Sequence, residues 1–455
     1  MMQGLCETAT RWGRHAAASR SLYIVAVAVP FVVLAGVVAA YGYRAPYWDE
    51  YGLVDVMDQY ARGEKGLSDL WTAYSAHRAP VAGAVSLGLA WATRYHHAWF
   101  LAGTVVLAAL AFAAIAFQIR RTGREFGLGT LDWRIPLVSL MVFSLSQWQV
   151  YLWGHLMLTY LCVLGSVLAM ACLNRAGAGW AWLAGALAAT VLASFTYGAA
   201  LAVWPAGVVQ LLLLRRQLGR RTWPAVGLWL AGAAAVMTAF LYGNAVAASQ
   251  AAGAGAWRRP IAFAEYVCTY LGGAIMQFSE PAAMYLGALA LLAAMALVAW
   301  AMTRRDALLR EAAAPYAAWI VFGAAAAVAT AIERLDQGRC QALSSRYISF
   351  SNLFYIGLFM TAWLAACRRN APRKARKWAY PIAIWMFAAL IGANAAYGLL
   401  CADERHDAFA PAAQAFREGR DRNLWGRLFP RVEEMPRYRQ ILLDRRWSIF
   451  REAPP

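Results

Sequence analysis

Residues 21–51 read SLYIVAVAVPFVVLAGVVAAYGYRAPYWDEY, and this stretch decides the fold class. Residues 21–41 carry no charge and are apolar without alternation, the length that crosses a ~30 Å hydrocarbon core as a helix. The remainder turns polar and aromatic and ends in adjacent acids, Asp49 and Glu50. The same alternation of apolar run and polar corner continues to about residue 400. Of 455 residues, 61% are hydrophobic and only 15% charged, against roughly 25% charged in soluble domains. No single soluble core needs so much apolar surface. Continuous apolar runs also argue against a β-barrel, whose strands alternate.

The expected fold is therefore an all-α integral membrane protein with about eleven transmembrane helices. The spans read as 21–41, 98–118, 135–150, 154–173, 179–196, 198–214, 224–243, 282–302, 315–333, 346–366 and 378–398. Two further apolar stretches, 79–93 and 261–278, read as interfacial or partly embedded helices, with a hidden pair of spans as the alternative. Residues 1–400 form the polytopic domain, with a first outer loop at 42–97. Residues 401–455 form a short tail, either a helical cap over the outer site or a loosely ordered extension. Ala-rich stretches (183–190, 231–236, 323–331) suit close helix packing in lipid.

Orientation follows from the basic residues. With the N-terminus inside, the inner segments hold half of the 42 Lys and Arg, including Arg120, Arg121, Arg124, Arg215, Arg216, Arg304 and Arg305. An odd number of spans puts the tail outside. The net charge of +18 then needs no nucleic acid, because much of it anchors the chain against anionic lipid. The seven cysteines show no metal spacing. Cys340 and Cys401 both fall near the outer face, where an oxidising compartment permits a disulfide.

Three outer corners carry the polar chemistry. The first is Tyr43 to Tyr51, with Pro46 stiffening the exit from the membrane and Trp48 and the tyrosines suited to the interface. An amphipathic stretch, 53–74, then lies along the surface with Leu53, Val54, Met57, Leu67, Leu70 and Trp71 as its apolar set. It returns His77 and Arg78 towards Asp49. The second corner, Ser146 to His155, offers Gln149 and His155 among Trp148, Tyr151 and Trp153, groups that bind and stack on sugars. The third runs from Glu333 to Tyr347. Here Arg346 opens a long span, and a cation facing a membrane interior is a functional candidate. Arg339 sits in the polar turn before it. Soluble-enzyme signatures such as a phosphate-binding glycine loop are absent.

In order and topology over about residues 20–400, the chain resembles the polytopic bacterial glycosyltransferases of the GT-C superfamily. These include protein mannosyltransferases and lipid A aminoarabinose transferases. The likeness is closest to bacterial membrane proteins with Trp48-Asp49-Glu50, His77-Arg78, Gln147 to His155, Gly338-Arg339 and Ser345-Arg346-Tyr347 in this order. The resemblance implies a GT-C-like bundle in the bacterial inner membrane, with the C-terminus periplasmic. It implies a polyprenyl-phosphate sugar donor and a glycan, lipid or protein acceptor. Asp49 would be the general base, with Glu50 as alternative or helper. His77, Arg78, Gln149, His155, Arg339, Arg346 and Tyr347 would contact substrate. Some GT-C enzymes use a divalent cation, although no ligand set in the sequence demands one. One departure matters: Gln149 follows Trp148 where relatives often carry Glu, leaving Glu333 or Asp336 as the second acid.

The rival readings are a transporter or flippase of lipid-linked glycans, a polysaccharide polymerase or ligase, and a membrane scaffold. Charge at the outer rim rather than deep within spans favours surface chemistry over transport.

Overall fold

A computed structural model describes residues 16–71, 79–126, 132–242, 258–366 and 373–452, with side chains from Arg20 onward and, in the last long helix, from Trp385. Among these residues the protein is all-helical, without a strand. Nine helical segments among them are long and apolar enough to cross a membrane: Arg20–Tyr41, His97–Glu125, Arg134–Leu152, Gly154–Leu173, Arg215–Leu241, Glu280–Thr303, Ala307–Gln337, Ser345–Ala366 and Trp385–Glu418. The chain is thus a multi-pass, all-α membrane protein.

We number the helices that matter below. They are α1 (Ala16–Tyr41), α2 (Glu50–Ala61), α3 (Pro80–Thr93), α4 (His97–Glu125), α5 (Arg134–Val142), α6 (Trp148–Leu152), α7 (Met157–Leu173), α8 (Trp180–Ser194), α9 (Val203–Leu213) and α10 (Thr222–Leu241). They continue with α11 (Pro260–Gly272), α12 (Glu280–Thr303), α13 (Ala307–Arg334), α14 (Ile348–Ala366), α15 (Arg373–Glu418) and α16 (Met435–Asp444).

The expected spans at 179–196 and 198–214 are helical but short. α8 has 15 residues, which makes about 22 Å at 1.5 Å per residue, less than a full hydrocarbon core. The interfacial candidates are shorter again: α3 has 14 residues and α11 has 13. Each opens with proline, whose missing N–H costs nothing in a first helical turn.

The centre of the bundle is α13 against α14. Ala326, Ala327 and Ala331 are fully buried, so small side chains let the backbones approach. Gly357 sits where a Cβ would strike the Tyr316 carbonyl. The α11–α12 pair uses the same device at Gly272 and Gly287, each facing partner backbone. The peripheral helix α1 shows Leu22, Ile24, Val25 and Val32 outward, as a lipid-facing surface requires.

The expected third span is not one continuous helix. α5 stops at Val142, and the chain continues through 3-10 turns and the five-residue α6. Ending a helix inside the bundle frees carbonyls that water cannot reach. Buried side chains satisfy them. Gln147 Nε2 donates to the Met141 and Val142 carbonyls at 3.0 and 2.9 Å. Asn352 Nδ2 donates to Met141 at 2.8 Å, and the Tyr160 hydroxyl donates to Val142 at 2.7 Å. Ser349 Oγ donates to Gln147 Oε1 at 2.6 Å, holding that amide in place.

The boundary expected at residue 400 falls inside a helix. α15 runs 46 residues, about 69 Å, and ends where Gly419 adopts φ +76°, a conformation that glycine takes without steric cost. The residues after it fold back as a helical cap on the segment that follows α1, residues 47–58. The Trp48 N–H donates to the Leu428 carbonyl at 2.8 Å. Arg445 Nε donates to Asp58 at 3.0 Å, and Arg437 pairs with Asp55. Tyr51, fully buried, packs its ring against Phe416, Phe429 and Tyr438. Cys340 and Cys401 are both free: Cys340 Sγ donates to Glu280 at 2.9 Å, and Cys401 neighbours Tyr397.

Candidate functional site

Asp49 and Glu50 are adjacent, yet the fold separates their roles. Trp48 takes the left-handed conformation (φ +52°), which turns the chain sharply into α2. Glu50 becomes the first residue of that helix and is 1% exposed. Its carboxylate accepts the Tyr47 and His155 backbone N–H groups, each at 2.8 Å. His97 Nε2, fully buried, lies 3.4 Å from the same carboxylate. On the far side of that ring, Ser448 of the cap stands 3.2 Å from Nδ1. Glu50 therefore ties together the first loop, the second corner, the head of α4 and the cap. Both carboxylate oxygens are engaged, so of the two acids, Glu50, expected as alternative to Asp49 or as its helper, has the geometry of a helper that positions its neighbours.

Asp49 is the opposite case. It is exposed and caps no backbone N–H of α2 with its side chain. It lines a cavity of about 570 Å³. The cavity lies at one end of the bundle, where Leu53 and Val56 of α2, the Ala82–Leu87 face of α3, Leu158 of α7 and the last turn of α10 supply apolar walls. Its polar groups include Asp49, Lys65, Asp69, His155, Tyr197, Glu333, Arg334 and Tyr347. A largely apolar concavity with a few converging polar groups is the form of a binding site.

The elements that contribute explain the convergence. Phe240 and Leu241 end α10, Glu333 and Arg334 end α13, and Leu158 begins α7. Tyr347 directly precedes α14, and Tyr197 lies in the turn between α8 and α9. All of these meet on a single face of the bundle.

Arg346 does not line the cavity, but its neighbour Tyr347 does. The Arg346 guanidinium lies 5.3 Å from the Tyr347 ring centre and within electrostatic reach of Asp49 and Tyr197. Its Nε is buried without a hydrogen-bond partner. A cation at the positive end of a helix is opposed by the helix dipole, so an anion arriving here would relieve an existing imbalance. Tyr347 is 4% exposed, with its ring stacked on Tyr270 at 5.0 Å. Burial pushes the Tyr197 hydroxyl up to about 12, with the Arg346 charge pulling it back. That phenol stays a neutral hydrogen-bond donor at physiological pH.

His155 lines the cavity and its Nδ1 is buried without a partner. Gln149 is not in the lining. Its Oε1 accepts from Ser344 Oγ at 3.0 Å and its N–H donates to Ser345 Oγ at 3.2 Å. The second corner is thereby clamped to the third, and Gln149 is a clamp rather than a substrate contact. Arg339 is also corrected. It pairs with Glu265, midway along α11, and with Glu280, the first residue of α12, both at 2.9 Å. Two carboxylates satisfy it away from the cavity. Asp336 pairs with Arg259, so of the two candidate second acids only Glu333 reaches the cavity. His77 and Arg78 lie outside the described residues.

Four polar cavity residues, Lys65, Asp69, Tyr197 and Arg334, carry no site assignment from the sequence. Arg334 carries the same signal as Arg346, a cation at the end of a long apolar run, but Arg346 drew the attention. Tyr197 carried no signal, because its turn read as a plain link between two full spans. Among the described residues no three His, Cys, Asp or Glu side chains converge as a metal site, so no step is derived through a divalent cation. Comparison with family models, with curated proteins and with solved structures gives no match.

Proposed function

We propose that the protein is a GT-C-type glycosyltransferase that moves a sugar from a polyprenyl-phosphate donor to a hydroxyl acceptor at the periplasmic face of a bacterial inner membrane. The observation that carries the reading is one carboxylate, Asp49, without a hydrogen bond among the described residues, at the rim of an apolar cavity that also holds Arg334 and Tyr347, with Arg346 beside it. In this reading α8 and α9 complete eleven crossings despite their length. The N-terminus is cytoplasmic and the Arg-rich opposite end of the bundle faces inward.

The step is a single displacement at the anomeric carbon. Asp49 takes the acceptor hydroxyl proton as that oxygen attacks, which forms the new glycosidic bond. The bond from the anomeric carbon to the phosphate oxygen breaks, and its electron pair leaves with the lipid phosphate. Arg346 and Arg334 hold that charge, with the Tyr197 and Tyr347 hydroxyls as neutral donors. Fixed charge in a dry site stabilises such a leaving group far better than water does. Glu50 takes no proton. It fixes the Tyr47 and His155 backbone beside the cavity.

The test supplies purified protein with polyprenyl-phosphate sugars and measures release of polyprenyl phosphate. Parent protein releases it, and Asp49→Asn loses at least 100-fold in rate with binding retained. Equal rates in the two proteins remove Asp49 as the base. Lipid movement without any release of polyprenyl phosphate would make the protein a flippase instead.

A further inference from the structure

The opposite end of the bundle holds a second cavity that the transfer reaction does not use. α4 runs from His97, beside Glu50, for 29 residues, about 43 Å. Its last turns carry Arg120, Arg121 and Arg124 at the far end. There α1 and α4 leave a groove of about 560 Å³, walled by Val27, Phe112 and Phe117 and rimmed by the three arginines.

The sequence of α4 explains the pattern. Positions 113, 117, 120 and 124 are spaced by three or four and so share one helix face, with Arg121, four residues after 117, widening its cationic end. Along that stripe the chemistry changes from apolar to cationic within about two turns. Only one acid, Glu125, joins the rim, and it pairs with Arg121 at 3.5 Å. Arg120 and Arg124 are exposed and pair with no carboxylate among the described residues. Cations near a helix C-terminus are favoured by its dipole, and a single one would anchor the helix without any groove. Here surplus positive charge caps an apolar trench, which is complementary to an acyl chain joined to a phosphate. Guanidinium groups suit that phosphate through paired donors.

We propose that this groove is a discrete site for one anionic glycerophospholipid, its acyl chain between α1 and α4 and its phosphate on Arg120 and Arg124. The inference is independent of the glycosyl-transfer reading.

The experiment uses the full chain in detergent. Phosphatidylglycerol and phosphatidylcholine of the same acyl composition are titrated separately, with retained lipid counted by native mass spectrometry. One phosphatidylglycerol per chain is retained, and phosphatidylcholine binds at least tenfold more weakly. Inorganic phosphate at millimolar concentration does not displace the lipid. The Arg120→Gln/Arg124→Gln variant loses about 30-fold in phosphatidylglycerol affinity, as two interfacial basic residues should. Ala113→Trp, at an exposed position, fills the trench with the charge intact and weakens binding comparably. Equal retention of both lipids overturns the proposal. So does an unaffected Ala113→Trp variant, which would leave only a diffuse basic surface, and so does displacement by free phosphate. Elution of each variant at the parent position confirms that it is folded.

Discussion

Glu50→Gln should unfold this protein more easily while leaving its shape almost unchanged, and Asp49→Asn should do the reverse to function. The Glu50 carboxylate accepts two buried backbone N–H groups at 2.8 Å and faces buried His97 at 3.4 Å. Glutamine keeps one carbonyl oxygen, so its amide group must confront one of those N–H donors. A buried donor left unsatisfied costs about 1–3 kcal/mol, and hydrogen bonds to a charged acceptor exceed neutral ones by a further ~1 kcal/mol. The expected loss is therefore about 2–4 kcal/mol. The assay is equilibrium unfolding in mixed detergent micelles, followed by tryptophan fluorescence and by far-UV circular dichroism. Asp49→Asn, with an exposed side chain that makes no cap, should leave the unfolding midpoint where the parent has it. The reasoning fails if Glu50→Gln unfolds with the parent. It fails equally if Glu50→Gln abolishes polyprenyl-phosphate release at unchanged stability while Asp49→Asn still turns over, because the base would then be Glu50.

Three further outcomes are expected. Arg346→Gln should raise the donor KM at least tenfold while shifting the unfolding midpoint little, because the guanidinium makes no salt bridge among the described residues and its buried Nε has no hydrogen-bond partner; donor titration of the release assay measures this. Ser345→Ala should cost about 1 kcal/mol by unfolding, the worth of the hydrogen bond from the Gln149 N–H at 3.2 Å. Gly357→Val should destabilise by more than ~3 kcal/mol or prevent accumulation in the membrane, since the added carbon meets the Tyr316 carbonyl of α13 and overpacking there forces apart the central helix pair.

Much of the fold was legible because a hydrocarbon core imposes a length and a composition on every crossing. The runs at 21–41, 98–118, 154–173 and 346–366 each correspond to a long helix. The break after Val142 was not legible. It rests on Gln147, Ser349 and Asn352 meeting across the bundle, from positions some 200 residues apart. The length of α15 was hidden for a related reason. Hydropathy marks where a helix leaves the lipid, not where it ends, and α15 continues as a polar helix to Glu418.

At the site the division is sharper. Sequence by itself determined that acids, arginines and aromatic residues crowd the corners between apolar runs, because a charge is expensive anywhere else in such a chain. It could not say which of two adjacent acids is free. Neighbouring residues at a helix start point about 100° apart, and only the arrival of His97 and the His155 N–H made the Glu50 direction the buried one. Nor could it choose among Arg334, Arg339 and Arg346. That choice depended on where the carboxylates stand: Glu265 and Glu280 hold Arg339, Glu333 pairs with Arg334 at 3.1 Å, and Arg346 makes no salt bridge among the described residues, which leaves its charge to a ligand.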